Sequence, residues 1–170
     1  FASQAAFSNI ISGVFIVIFK PFRVNDVITI GKNLTGDVID ITLRHTVIRD
    51  YENKRIIIPN SQISNETIIN FSIDDPQVCQ HVYFNIALNS DIDKAFSILR
   101  EEILNHKLTF KSEKIKELQD GEDLRIKVTQ VGEYYLRIRC WVWTGSPQDA
   151  WVTNWELNKI IIERFRENGL

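Results

Sequence analysis

Methionine is absent from the 170 residues, cysteine occurs twice and histidine three times. Without methionine, even at residue 1, the natural chain is expected to begin upstream. Cys79 and Cys140 are isolated and form no CxxC, which argues against both a thiolate metal site and a disulfide scaffold and fits a reduced, cytoplasmic setting. His45, His81 and His106 are dispersed, with no metal-ligand spacing between them. No GxSxG, HExxH, phosphate loop or GxGxxG occurs. The acidic pairs Asp74-Asp75, Glu101-Glu102 and Glu122-Asp123 read as solvated surface rather than as an acid/base couple. The chain therefore offers no enzyme and calls for no cofactor. A net charge of −2 and a pI of about 5.9 give no electrostatic case for nucleic acid as a partner. A continuous apolar run of the ~20 residues that a membrane-spanning helix needs is also missing.

What is present is an unusual opening, FASQAAFSNIISGVFIVIFKPFR, residues 1–23. Read as a helix, Gln4, Ser8 and Ser12 form a polar stripe, with Asn9, Ala5 and Gly13 beside it. Phe7, Ile10, Ile11, Val14 and Ile18 lie on the other side, with Phe15 and Phe19 at the far end. Pro21 disfavours helical geometry at Lys20 and ends the helix there. Phe19, Lys20, Phe22 and Arg23 make an aromatic and cationic collar suited to a cytoplasmic membrane interface. Only Ile10 to Phe19 is strongly apolar, so periodicity leaves two readings: an amphipathic core helix, or half of a membrane span.

The remainder is an ordinary α+β body, 25% charged and 44% hydrophobic overall. Val27 to Ile30 reads as a strand, Gly31 to Gly36 as a turn, and Val38 to Arg49 as one alternating strand with Ile39, Ile41 and Leu43 on one face. Arg55 to Ile58 and Thr67 to Phe71 follow, and strands at this spacing predict a small barrel or sandwich. Beyond Asp74-Asp75-Pro76 the order is strand (Val82 to Leu88), helix, polar insert, strand (Leu124 to Val131), strand (Tyr134 to Thr144), helix. That is the split βαβ plan of ferredoxin-like folds without a final strand. Ser90 with Asp93, and Ser146 with Pro147 and Asp149, predict the two helix starts. Ile92, Phe96, Leu99 and Ile103 are expected on the inner face of the first helix; Trp151, Trp155, Ile161, Ile162 and Phe165 mark the second.

Three motifs together resemble the small-conductance mechanosensitive channel (MscS) family. QAAFSNIISGVFIVIFKPFRVNDVITI, residues 4–30, is similar to the family's pore-lining third transmembrane helix as it runs into the middle domain. GDVIDITLRHTVIRDYENKRIIIPNSQISNETIINFS, residues 36–72, resembles the Sm-like β domain. NSDIDKAFSIL, the later strand pair and the helix end at ENG resemble the α/β domain of the cytoplasmic vestibule. The resemblance implies an α+β subunit in three parts: residues 1–22 from the C-terminal part of the pore helix, 23–73 an Sm-like β-barrel domain, and 74–170 a truncated ferredoxin-like α/β domain. It implies a homo-oligomer, a heptamer in the intact protein, in the inner membrane with this portion mostly on the cytoplasmic side. Membrane lipid and permeating ions are then the partners, tension opens the pore in hypo-osmotic shock, and there is no catalysis.

By the same resemblance Phe1 and Ala5 fall at pore and gate positions and Gly13 at a hinge. Asn9 falls where the family's helix touches the β-domain turn, here Asn60 and Ser61. Lys20 and Arg23 fall at basic positions of the lipid interface. Two other readings remain open from the residues themselves: a soluble Sm-like RNA-binding ring, and a regulatory domain sensing a small ligand.

Overall fold

A computed structural model describes the backbone of residues 2–170 and the side chains of residues 4–170. The chain divides into two compact units, one running to Pro76 and the other beginning at Gln77.

The first unit opens with helix α1 (Ala2–Phe19). Strands β1 (Val27–Ile30), β2 (Leu34–Ile41), β3 (His45–Arg49) and β4 (Arg55–Pro59) follow, then a short helix α2 (Asn60–Ile63) and strand β5 (Ile68–Asn70). The strands form one antiparallel sheet in the order β4-β3-β2-β1-β5, with β4 and β5 as unpaired edges. Its core is aliphatic: Ile28, Val38, Ile48, Ile58 and Ile63, joined by Ile16 and Phe22.

Three details differ from the sequence expectation. Val38 to Arg49 is two strands, because Thr42 closes a turn that contains neither glycine nor proline. Its Oγ1 donates to the His45 carbonyl at 2.8 Å and accepts the His45 amide at 3.0 Å, a side-chain turn of the kind serine and threonine support. The single alternation also breaks: a register shift between Val38 and Asp40 buries Val38 before it and lets Ile41 pack on the core after it, while Ile39 and Leu43 are exposed. Of the two glycines assigned to the turn, Gly31 has φ +60°, but Gly36 lies within β2, where a Cβ would come within 2.3 Å of the Arg49 carbonyl oxygen.

The second unit contains β6 (Val78–Ala87), α3 (Ile92–Asn105), α4 (Ser112–Leu118), β7 (Ile126–Val131), β8 (Tyr135–Thr144) and α5 (Pro147–Glu167). Its sheet runs β6-β8-β7, antiparallel throughout. The order places β8 between the two strands joined by α3, as the split βαβ plan requires. Leu136, Ile138, Cys140 and Val142 alternate onto the covered face with Val82, Phe84 and Ile86, and meet Leu99, Ile103, Leu157 and Ile161 from the helices.

Ser146 caps α5 by accepting the Asp149 amide at 3.1 Å. For α3 the cap is Asp91 rather than Ser90: Asp91 Oδ1 accepts the Lys94 amide at 2.9 Å. The buried positions of α3 are Ala95, Ile98, Leu99 and Ile103, with Phe96 partly buried against the same core, whereas Ile92, in the first turn, is exposed. On α5, Trp155 and Ile162 are exposed, and the buried positions are Pro147, Ala150, Thr153, Leu157, Ile161 and Phe165. Burial raises the thiol pKa of Cys140 to about 12 and that of Cys79 to about 11, which keeps both protonated.

His106, buried at the end of α3, faces Glu156 of α5 across 2.8 Å. Its Nδ1 accepts the Leu108 amide at 3.3 Å, so we assign the proton to Nε2, which donates to the Glu156 carboxylate. This hydrogen bond, assisted by the charge of Lys107, holds the Glu156 carboxyl below its ordinary 4.5. A carboxyl depressed in the folded state contributes stability that is present above its unfolded pKa and is lost as pH falls through the folded one. Glu156→Gln is therefore expected to destabilise the chain at neutral pH. Its difference from the parent in urea denaturation should shrink once the pH drops below 4.5.

Candidate functional site

The first unit is organised around the seating of α1. Asn9, Gly13 and Ile16 are spaced by four and three residues and so share one stripe of the helix. Asn9 Oδ1 accepts both the backbone amide of Ser61 at 2.9 Å and its hydroxyl at 2.8 Å. Asn9 Nδ2 donates to the Ala5 carbonyl at 2.9 Å, which fixes which way the amide points.

Ser61 stands in the first turn of α2, where backbone N–H groups lack partners within the helix. The N-cap of α2 is Pro59, which supplies no side-chain cap. Asn9 thus caps α2 from another helix, 52 residues away in sequence.

One turn further on, Gly13 lies against the β2–β3 turn. A Cβ there would come within 2.4 Å of the Leu43 carbonyl oxygen and 2.6 Å of Asn60 Nδ2. Asn60 is fully buried and holds that turn in place. It donates from Nδ2 to the Thr42 carbonyl at 2.8 Å, from its backbone amide to the Arg44 carbonyl at 3.0 Å, and accepts from Thr46 Oγ1 at 2.9 Å. Ile16 and Phe22 complete the seat by entering the same core as Ile63.

The exit from α1 is clamped as well. Lys20 takes φ +49° and donates its amide to the Ile16 carbonyl, which closes the helix before Pro21. Asn70 Nδ2 donates to the Pro21 carbonyl at 3.1 Å and to Asp26 Oδ2 at 2.8 Å, and the same carboxylate oxygen accepts the Arg23 amide at 2.9 Å. The opposite face of α1 is left uncovered, with Phe7, Phe15, Ile18 and Phe19 each more than half exposed.

Chemically the site is a neutral one. Amide and hydroxyl groups, a close backbone approach and an apolar anchor can hold and release a helix. Each hydrogen bond is worth ~1 kcal/mol net, so the grip is graded rather than absolute. Among the described residues, no three His, Cys, Asp or Glu side chains gather where they could hold a metal ion.

Of the residues singled out from the sequence, the structure brings Asn9 and Ser61 into contact, and places Gly13 against Asn60. The Ala5 carbonyl joins through Asn9. Lys20 and Arg23 are exposed at the helix exit. Phe1 lies outside the described residues. Phe22 departs from its expected place in an interfacial collar: it is 1% exposed, buried in the sheet core. The seat also uses Ile16, Thr42, Thr46, Asp26 and Asn70, which the sequence did not single out. The Asn9–Gly13–Ile16 spacing was the available signal. Among the described residues, no helix is long and apolar enough to cross a membrane.

Comparison with known proteins gives a consistent picture. Residues 5–73 match the family model described as "Mechanosensitive ion channel, beta-domain". Residues 81–170 match "Mechanosensitive ion channel MscS, C-terminal". The chain is 34% identical over 106 residues to the mechanosensitive channel MscK of Escherichia coli K12, covering 62% of this chain and 9% of that one. It is 30% identical over 171 residues to an uncharacterised MscS family protein of Archaeoglobus fulgidus, covering all of this chain and 56% of that protein. Its fold resembles the closed-state crystal structure of Helicobacter pylori MscS, with a TM-score of 0.71 at 23% identity over 98% of this chain and 60% of that one. The chain thus spans from under a tenth to somewhat over half the length of these curated relatives.

Proposed function

The chain belongs to the MscS family of mechanosensitive ion channels, and on that premise we propose that it is the gating and cytoplasmic portion of a tension-opened channel subunit. The observation that carries this reading is the seating of α1. One face is pinned to the sheet domain through Asn9 and Gly13, and the other is apolar and bare. Such a helix suits the C-terminal part of a pore-lining span continued by upstream residues. Lys20 and Arg23, exposed where it ends, suit a boundary at the headgroups.

Tension that tilts or shifts the helix would have to work against the Asn9–Ser61 hydrogen bonds, so this contact couples pore to vestibule. Gly13, at the point of closest approach, is the hinge, and Phe1 and Ala5 sit toward the gate. The partners are further copies of the same chain, seven in the intact ring, together with lipid and the permeating ions and small solutes. The sheet favours self-assembly: β4 and β5 are unpaired edges bearing the exposed Ile57 and Ile69, and such edges pair readily with another chain. The setting is the inner membrane, with this portion mostly on the cytoplasmic side.

Cells lacking their own mechanosensitive channels provide the test. Expression of the natural protein that carries this sequence is expected to restore survival of a sudden dilution of the medium. Survival no better than with the empty vector, at verified membrane levels of the protein, would sink the reading.

A further inference from the structure

The second unit carries a surface that the channel reading does not use. Helices α3 and α5 cover one face of the β6-β8-β7 sheet. The other face presents His81, Tyr83 and Asn85 from β6, Arg137, Arg139 and Trp141 from β8, and Lys127 from β7, with Arg125 just ahead of it. The rows across the sheet are fixed by register: Tyr83 opposite Arg139 opposite Lys127, and His81 opposite Trp141. Two cations thus stand directly opposite one another on adjacent strands, an arrangement that costs stability.

Counter-charge is scarce. Arg125 is paired to Glu122, and Arg137 Nε donates only to the Asn85 amide oxygen at 3.2 Å. The side chains of Arg139 and Lys127 make no hydrogen bond or ion pair with any described residue, and Arg139 Nε is a buried donor without an acceptor. Arg139 is instead held by rings, its Cζ 5.2 Å from the centre of Tyr83 and 5.3 Å from that of Trp141. Arg137 lies 5.3 Å over Tyr135, and Arg125 5.5 Å over Trp141. On a chain of net charge −2 this is a concentrated cationic face.

We propose that this face docks an extended acidic segment of a partner protein, with carboxylates at alternate positions lying along β8. Charge complementarity selects the occupant. Guanidiniums stacked on rings are pre-positioned and offer planar forks that match carboxylates. Arg137 and Arg139 are separated by about 6.8 Å along the strand, the spacing of alternate side chains in an extended peptide. Arginine, tyrosine and tryptophan are also the residues that dominate protein interfaces. A nucleic-acid strand fits less well, because base stacking needs free ring faces and here guanidiniums lie over them. The proposal stands apart from the channel reading.

The test uses the full 170-residue chain and a fluorescent peptide of alternating threonine and glutamate, followed by anisotropy and by the indole NMR signal of Trp141. Saturable binding that weakens with salt is expected, with none to the same peptide carrying glutamine. Arg137→Gln with Arg139→Gln should weaken binding by about tenfold or more through loss of two charge-assisted pairs. Lys127→Gln, at an exposed position where a substitution is expected to spare the fold, should weaken it by about threefold. If the double variant fails to fold, the lysine variant decides. Absence of saturable binding, or affinity unchanged by the lysine variant or by a folded arginine double variant, overturns the proposal. Tighter binding of a single-stranded oligonucleotide of equal charge also overturns it and assigns the face to nucleic acid.

Discussion

Gly13→Ala is expected to unseat α1. In an isolated helix the change would be favourable, since alanine exceeds glycine by ~0.8–1 kcal/mol in helix propensity. Here the new methyl would meet a backbone carbonyl at 2.4 Å, and a backbone oxygen cannot swing aside as a flexible side chain can. Either the helix lifts or the 42–44 turn moves. The turn is fixed by two Asn60 hydrogen bonds, to the carbonyls of Thr42 and Arg44. Lifting the helix stretches the Asn9–Ser61 bonds and withdraws Ile16 from the core. Overpacking of this kind costs ~1–3 kcal/mol, which outweighs the propensity gain over most of that range. The check is amide hydrogen exchange across α1 and at Ser61. Protection should fall by about tenfold or more, as follows from a loss of ~1.4 kcal/mol. Unchanged protection would mean that the close approach does not constrain the helix. On the proposed channel reading, the same substitution in the intact protein should change the tension required for opening.

Asn60→Ala carries the other large effect. The side chain is completely buried and satisfies Thr46 Oγ1 and the Thr42 carbonyl at once. Truncation leaves both without their partner, and a buried unsatisfied group costs ~1–3 kcal/mol. The first unit should lose on the order of 2–3 kcal/mol in chemical denaturation. A double-mutant cycle separates the hydrogen bond from simple loss of packing. Thr46→Val alone orphans Asn60 Oδ1, whereas Thr46→Val in the Asn60→Ala background removes a hydroxyl that is already unpaired. The second change should therefore cost clearly less than the first. Equal costs in the two backgrounds would show that the pair contributes no coupling. Because Asn60 also positions the turn under Gly13, its loss should weaken the helix seat, so both substitutions act on one contact.

Much of the fold was legible because its devices are local. The alternation of Leu136, Ile138, Cys140 and Val142 is a period-two signal that the sheet obeys, and Ser146-Pro147 announces the start of α5 by residue type alone. The misreadings have equally local causes. The Thr42 turn is built from one hydroxyl, with no glycine or proline to mark it. The irregularity after Val38 breaks the alternation, and a strict period of two cannot anticipate that. The Ser90–Asp93 spacing misplaces the start of α3 by one residue, because the adjacent Asp91 is an equally competent cap and is the one used. Helix α2, four residues long, is too short to show a period.

The candidate site was less legible, since it is made of contacts between distant segments. Nothing near Asn9 in the sequence names Ser61, and only the family resemblance paired them. The role of Pro59 explains why that pairing matters physically: a proline at the N-cap leaves α2 without a side-chain cap, and Asn9 supplies it. Phe22 was misplaced because an aromatic beside basic residues resembles an interfacial anchor. The tight exit after Lys20, held by Asn70 and Asp26, turns the ring inward instead.

The most direct measurement is a patch-clamp recording. The natural protein that carries this sequence would be placed in a membrane devoid of other mechanosensitive channels, and suction applied to the patch. A conductance that opens with tension, and whose closing and inactivation kinetics change in Asn9→Ala, is the predicted result. A protein present in the patch that passes no tension-dependent current would contradict the account.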